Sequence, residues 1–173
     1  MKKLLLFLII SAVSVSNFAY ATTLPLYFKS YQSNKVLNNS ILDGQDKSLL
    51  SENDDLVFTF KHTEPFVLSG PIVLDLFVEF NVRDVGIEVY IYKLDSNGDE
   101  IPLEICSPDV RVRQNEKVNR VFIKTCPLEQ TFDANENLLV KIRQTALGKI
   151  FNLTRLHHSP KYPSKILINL DNL

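Results

Sequence analysis

The chain has 173 residues, of which 45% are hydrophobic, with 19 Lys and Arg against 20 Asp and Glu and a formal net charge of −1. That length suits one domain with one core, and the absence of a basic excess argues against nucleic acid as a partner. The 8 prolines and 5 glycines are scattered, with no linker, low-complexity tract or internal repeat.

Lys2 and Lys3, the apolar run from Leu4 to Val15 and the small residues of Ala19-Tyr20-Ala21 read as a secretory signal peptide, residues 1–21. The apolar run is too short to cross a bilayer and no second one follows, so no membrane span is expected. Residues 22–173 then form a single exported domain, periplasmic or secreted, and the lysine-rich start with a short apolar core looks bacterial. The signal segment contains no acid, so its removal leaves the mature chain more negative.

Leu24, Leu26 and Phe28 alternate in a first strand over 22–30. Residues 31–55 are rich in Ser, Asn and Asp without a sustained period and read as an extended loop. Leu56 to Lys61 is a strand, ended by the turn-forming Glu64-Pro65. The organising stretch follows, from Phe66 to Leu94. Ile72, Leu74, Leu76, Val78 and Phe80 share one face of a strand, and Ile87, Val89 and Ile91 share one face of the next. Residues 81–85 are too few for a helix, so the two read as an antiparallel pair.

Asp95 to Asp99, with Asn97-Gly98, is a hairpin signal. Its Asp95, Asn97 and Asp99 also match the first positions of a calcium loop, but Glu100 stands where such a loop needs Gly and Cys106 where it needs a bidentate Glu. Residues 110–113 and 121–124 read as a hairpin about Glu116, which sets Cys106 opposite Cys126. In an exported chain this pair is expected as a structural disulfide stabilising the fold by about 3 kcal/mol. Residues 127–137 read as a loop, Leu138 to Arg143 as a strand turning Leu138, Val140 and Ile142 to the core, 150–153 as a short strand, and 164–170 as the closing strand. The sum is an all-β fold of about eight strands, a two-sheet antiparallel β-sandwich or jelly roll, with Leu74, Leu76, Val78, Val89, Ile91, Val140 and Ile142 in one core.

The chemistry-bearing residues are sparse. His157 and His158 are adjacent on an extended segment and point to opposite faces, which leaves no zinc set with His62; no metal or other cofactor is expected. No G-x-S-x-G nucleophile elbow occurs, so no catalytic residues are assigned and the chain does not read as an enzyme. Glu88, Tyr90 and Tyr92 form the candidate binding set, two tyrosines beside a carboxylate on the face of their strand away from the core. Burial of that face by a neighbouring segment is the alternative. Arg111, Arg113, Lys117, Arg120 and Lys124 concentrate positive charge over 111–124, as a solvated face or for an acidic partner.

Four segments in order resemble the C-terminal β domain of the X-Pro dipeptidyl-peptidase and cocaine esterase family of serine hydrolases: Asp55 to Phe60 with Glu64-Pro65, Leu68-Ser69-Gly70-Pro71, Leu94-Asp95-Ser96-Asn97-Gly98, and the segment from His157-His158-Ser159-Pro160 to Ile168. The resemblance implies a galactose-binding-like jelly roll. Asn135 and Glu136 stand where that family usually has Gly-His, the cysteine pair is not a family feature, and the catalytic α/β-hydrolase domain is absent. The signal peptide, the cysteine pair, the jelly-roll pattern and the missing catalytic signatures point to a binding or accessory module of the envelope, with an envelope protein or glycan as its ligand. The alternatives are a detached accessory domain of a two-chain peptidase-like hydrolase, or a structural envelope protein.

Overall fold

The computed structural model describes residues 22–31, 34–38, 47–50, 55–103, 109–145 and 154–171. The proposed signal peptide, Cys106 with its expected bond to Cys126, and the strand expected over 150–153 lie outside them. The described residues form thirteen strands and no helix. They build two antiparallel layers. In the first, β5 (Phe66–Phe80) pairs along one side with β9 (Asn119–Phe132) and along the other with β13 (Lys165–Asp171) and β11 (Thr154–Ser159). The layer continues from β13 to β1 (Thr22–Tyr31) and β2 (Asn34–Asn38), and from β11 to β3 (Lys47–Leu50) and the short β12 (Tyr162–Pro163). In the second, β10 (Asn137–Thr145) lies between β4 (Leu56–Lys61) and β6 (Asp84–Leu94), and β6 carries β7 (Glu100–Pro102) and β8 (Asp109–Arg113) on its far side. A single parallel bridge, Val36 to Thr59, joins β2 to β4.

The period of two in the sequence is the burial pattern of the fold. Leu74, Leu76, Val78, Val89, Val140 and Ile142 have no solvent exposure and Ile91 has 1%, and all seven belong to one core. Removing this apolar surface from water is the main stabilising term of such a sandwich.

Several expectations about pairing are corrected. β5 and β6 are not a hairpin: each pairs with other strands, and the chain crosses between layers at Asn81 to Arg83. Alternation fixes which face of a strand is apolar but not which strand lies beside it. A hairpin would set both stripes side by side on one layer, whereas the crossing makes them face each other. Residues 110–113 and 121–124 are likewise no hairpin, since β8 pairs with β6 and β9 with β5. Their connection is closed by a side chain instead of a ladder. Asn119 Oδ1 accepts from the amides of Asn115 (2.9 Å) and Glu116 (3.2 Å), and Asn119 Nδ2 donates to the Glu116 carbonyl (2.9 Å). Gln114 ties this turn to the 81–83 crossing through its amide to Arg83 O and its Nε2 to Phe80 O. The expected loop over 31–55 contains β2 and β3, the expected loop over 127–137 is strand as far as Phe132, and the strand count exceeds eight because several strands are only two to five residues long.

Gly70 and Pro71 sit inside β5, where a proline would ordinarily break the ladder. The register with β9 shifts between Pro71 and Val73, and the Ile72 amide donates to Thr125 Oγ1 (2.9 Å) at that irregularity. Gly70 has φ +75°, and a Cβ there would come within 3.2 Å of Asn169 Nδ2. The Asp95 to Asp99 turn joins β6 to β7 as expected, with Gly98 at φ +92°. Asp95 Oδ1 accepts from the amides of Asn97 (2.9 Å) and Asp99 (2.8 Å), so the carboxylate closes the turn; these bonds, that to Asp99 first, lower its pKa. Asn135, at φ 72°, occupies the left-handed conformation that asparagine tolerates. Beside it, buried Glu136 accepts from the Asp133 amide (2.8 Å) and Lys93 Nζ (3.0 Å), which holds its carboxyl below the usual range.

Candidate functional site

The structure brings the sequence-predicted set together on the outer face of the second layer. Glu88, Tyr90 and Tyr92 are half-buried there, and Tyr90 Oη donates to Glu88 Oε2 at 2.9 Å. That bond, followed by burial and the Glu88 charge, raises the phenol's pKa. The register of β6 with β10 places Lys141 opposite Tyr90 and Arg143 opposite Glu88. Each cation leans over an aromatic ring, Lys141 Nζ at 4.8 Å from Tyr92 and Arg143 Cζ at 5.5 Å from Tyr90. Carboxylates tether both, Asp55 from just before β4 and Glu100 from the start of β7. Arg143 Nε donates to Asp55 Oδ1 at 2.7 Å, which strengthens the guanidinium's hold on its proton, and Lys141 pairs with Glu100. The face is thus a layered stack of carboxylate, cation and ring, not a bare aromatic platform. Cation–π contacts of this partly exposed kind contribute about 0.5–1 kcal/mol each.

The histidines diverge as expected from their adjacency. Both are buried, but His157 turns to the outer face, with Nε2 3.0 Å from Glu79 Oε2, while His158 turns its ring edge-on to Phe58 at 6.3 Å. His62 lies at the β4 end with Nδ1 2.6 Å from the Glu64 carbonyl oxygen. Among the described residues no three His, Cys, Asp or Glu side chains converge to hold a metal ion.

A second constellation, not picked out from the sequence, occupies the outer face of the first layer. Asp75 is almost wholly buried there, and Arg120 grips it with both ends of its guanidinium, Nε to Oδ1 at 2.8 Å and Nη2 to Oδ2 at 2.9 Å; this hydrogen bonding raises the pKa of Arg120. The same guanidinium lies over the Phe77 ring at 5.5 Å and the Phe122 ring at 4.5 Å. Tyr162 approaches both Phe77 (5.8 Å) and His157 (5.4 Å). Phe122 is 58% exposed, an unusual cost for a phenylalanine on a strand. The signal in the sequence was the outward parity of Phe77 and Phe122 in otherwise polar positions. It carried no weight while 121–124 was paired with 110–113, because Phe122 then had no aromatic neighbour.

Comparison with solved structures places this fold. It is similar to a CocE/NonD family hydrolase from Staphylococcus aureus, at 19% identity and a TM-score of 0.69, over 88% of this chain and 37% of that one. It is also similar to an aminopeptidase from a marine sediment archaeon, Thaumarchaeota archaeon, at 13% identity and a TM-score of 0.67, over 88% and 37% of the two chains. An alpha-amino acid ester hydrolase matches at 12% identity and a TM-score of 0.63, over 84% of this chain and 36% of that one. No protein-family model matches the sequence, and no curated protein matches it. At these identities the likeness is one of fold, and the chain spans just over a third of the length of these neighbours. The chain therefore resembles the non-catalytic β domain of such hydrolases, as its motifs implied, and not their catalytic domain.

Proposed function

We propose that this chain is an exported, non-catalytic β-sandwich module that binds a protein or glycan of the bacterial envelope. The observation that carries the reading is the fold likeness: nearly the whole chain superposes on just over a third of several hydrolases, the share of an accessory domain. Export is supported by Lys2, Lys3, the Leu4 to Val15 run and Ala19-Tyr20-Ala21. In an exported chain Cys106 and Cys126 are expected to form a structural disulfide. Alkylation followed by intact mass on protein recovered from the periplasm or medium is expected to find both thiols blocked. Two alkylated cysteines would contradict the bond.

Glu88, Tyr90 and Tyr92 are the binding residues of this reading, because tyrosine offers a large, rigid contact area and a hydroxyl at small entropic cost. The test pairs Tyr90→Ala with Tyr92→Ala and follows retention of envelope proteins on the immobilised module and of glycans on an array. The double variant is expected to lose binding by tenfold or more while its melting temperature falls by only a few degrees, in line with two partly exposed ring contacts. A large fall in melting temperature with affinity per folded molecule intact would make the tyrosines packing residues.

A second reading is favoured by the names of the three structural neighbours described above, two of them hydrolases and one an aminopeptidase. In it, the chain is a detached accessory domain that associates with a separately encoded catalytic subunit. A hydrolase gene lacking its own β domain beside this one, whose product co-purifies with this chain, is the expected result. A genome neighbourhood with no such gene counts against it.

A further inference from the structure

The first layer ends in a long edge. Among the described residues β9 pairs with β5 alone and β8 pairs with β6 alone. The two strands leave the 115–118 turn into different layers, and an open cleft of about 500 Å³ lies between them, reaching Phe77, Phe122 and Tyr162. Outward along β9 stand Arg120, Phe122 and Lys124 in succession, all exposed. An edge strand presents unpaired amides and carbonyls to any other extended chain, and charges placed on it ordinarily keep such chains away. Phe122 does the reverse. It sets an exposed ring between two cations, and its orientation is fixed by the Arg120 guanidinium, which Asp75 in turn holds from below.

Around the cleft the cations Arg111, Arg113 and Arg120 outnumber the one lining acid, Glu116. Arg111 and Arg113 share a single carboxylate, that of Asp84, at 3.2 and 3.8 Å. Lys117 is exposed on the connecting turn. The excess of cations here is local, in a chain whose net charge is slightly negative.

From this edge we infer that β9 takes an extended acidic segment of a partner protein, added as a further strand, with carboxylates opposite Arg120 and Lys124 and an apolar side chain between them against Phe122. Backbone pairing along the edge would supply affinity, and the alternating acid, apolar and acid side chains would supply register, because cross-strand neighbours on one face recur at every second residue. The bidentate clamp on Arg120 and the ring stacked under it are already ordered, which lowers the entropic cost of docking. A protein segment fits better than a sugar chain because the exposed ring is a phenylalanine, with no hydroxyl or indole N–H to offer a sugar, and arginine and aromatic side chains are those enriched where proteins meet. The inference rests on the reading of the chain as a binding module but uses a face separate from Tyr90 and Tyr92.

The test is fluorescence anisotropy with the whole oxidised protein and a labelled peptide centred on Glu-Thr-Phe-Thr-Glu. Saturable binding is expected, weakened about tenfold by Phe122→Ser and about tenfold by Lys124→Glu, abolished by N-methylation of the peptide amides that face β9, and unchanged by the Tyr90→Ala, Tyr92→Ala pair. Both tested side chains are exposed, so unchanged melting temperatures will accompany the losses. Absence of saturable binding, equal affinity for a peptide with Lys in place of Glu, insensitivity to both variants, or Phe122-dependent binding of an oligouronide in place of the peptide would each overturn it. If the peptide fails while an envelope partner is still retained through Tyr90 and Tyr92, the edge inference falls and the module reading stands.

Discussion

Phe58→Ala is expected to cost about 3–5 kcal/mol and to lower the melting temperature by about 10 °C. Phe58 has no solvent exposure, and it belongs to β4, the outer strand of the second layer. Its ring meets that of Phe28, from β1 of the first layer, at 4.7 Å in an edge-to-face arrangement, and that of His158 at 6.3 Å. The hydrogen-bonded link between the layers at this side is the single Val36 to Thr59 bridge. One bridge contributes about 1 kcal/mol net, whereas a fully buried aromatic ring contributes several, so packing and not the ladder closes this edge. Truncation leaves a cavity whose walls are strands on two sides, which relax little, and this places the cost at the upper end of the range for buried side chains. Urea denaturation with a constant m-value checks it. A loss below about 1 kcal/mol would mean that the layers do not meet through these rings.

The comparison of β5 with β9 shows which parts of this fold were legible in the sequence. Alternation alone assigned the core faces of Leu74, Leu76 and Val78, of Val89 and Ile91, and of Val140 and Ile142, because a period of two is a local property of a strand against one apolar side. Pairing is not local. Asn81 to Arg83 and Asn115 to Val118 are both short enough for hairpins, yet both cross between layers. At the second of these, Asn119 satisfies the turn amides that a hairpin ladder would otherwise have engaged. The Asn97-Gly98 turn was legible because its chemistry is self-contained: Asp95 and a glycine at positive φ specify it without reference to the rest of the chain. Glu88, Tyr90 and Tyr92 were correctly set on one outward face. What covers them was not legible, since Lys141 and Arg143 come from a strand about fifty residues away whose register depends on the whole second layer. The Asp75, Arg120 and Phe122 cluster was hidden for the same reason, because it exists only when β9 lies beside β5.

Leu76→Ala and Phe77→Ala, at adjacent positions of β5, separate the inner face from the outer. Leu76 has no exposure and faces the second layer, so its truncation removes buried methyl groups and leaves a cavity, at a cost of about 2–5 kcal/mol. Phe77 is the larger side chain, and on size alone it would be the more damaging loss. Its ring, however, lies half-exposed among Arg120 at 5.5 Å and Tyr162 at 5.8 Å, on a face that water reaches. Truncation there exposes surface without sealing a void and gives up two contacts of modest strength, so about 1–2 kcal/mol is expected. The smaller residue is therefore expected to cost more, and the order of the two losses reads the direction of the strand's pleat independently of their absolute size. Equilibrium denaturation of both variants measures it. A loss at Leu76 below about half a kcal/mol, or a loss at Phe77 exceeding that at Leu76, would mean that β5 presents the opposite face to the core, because burial and not side-chain volume sets the cost of truncation on a two-faced strand.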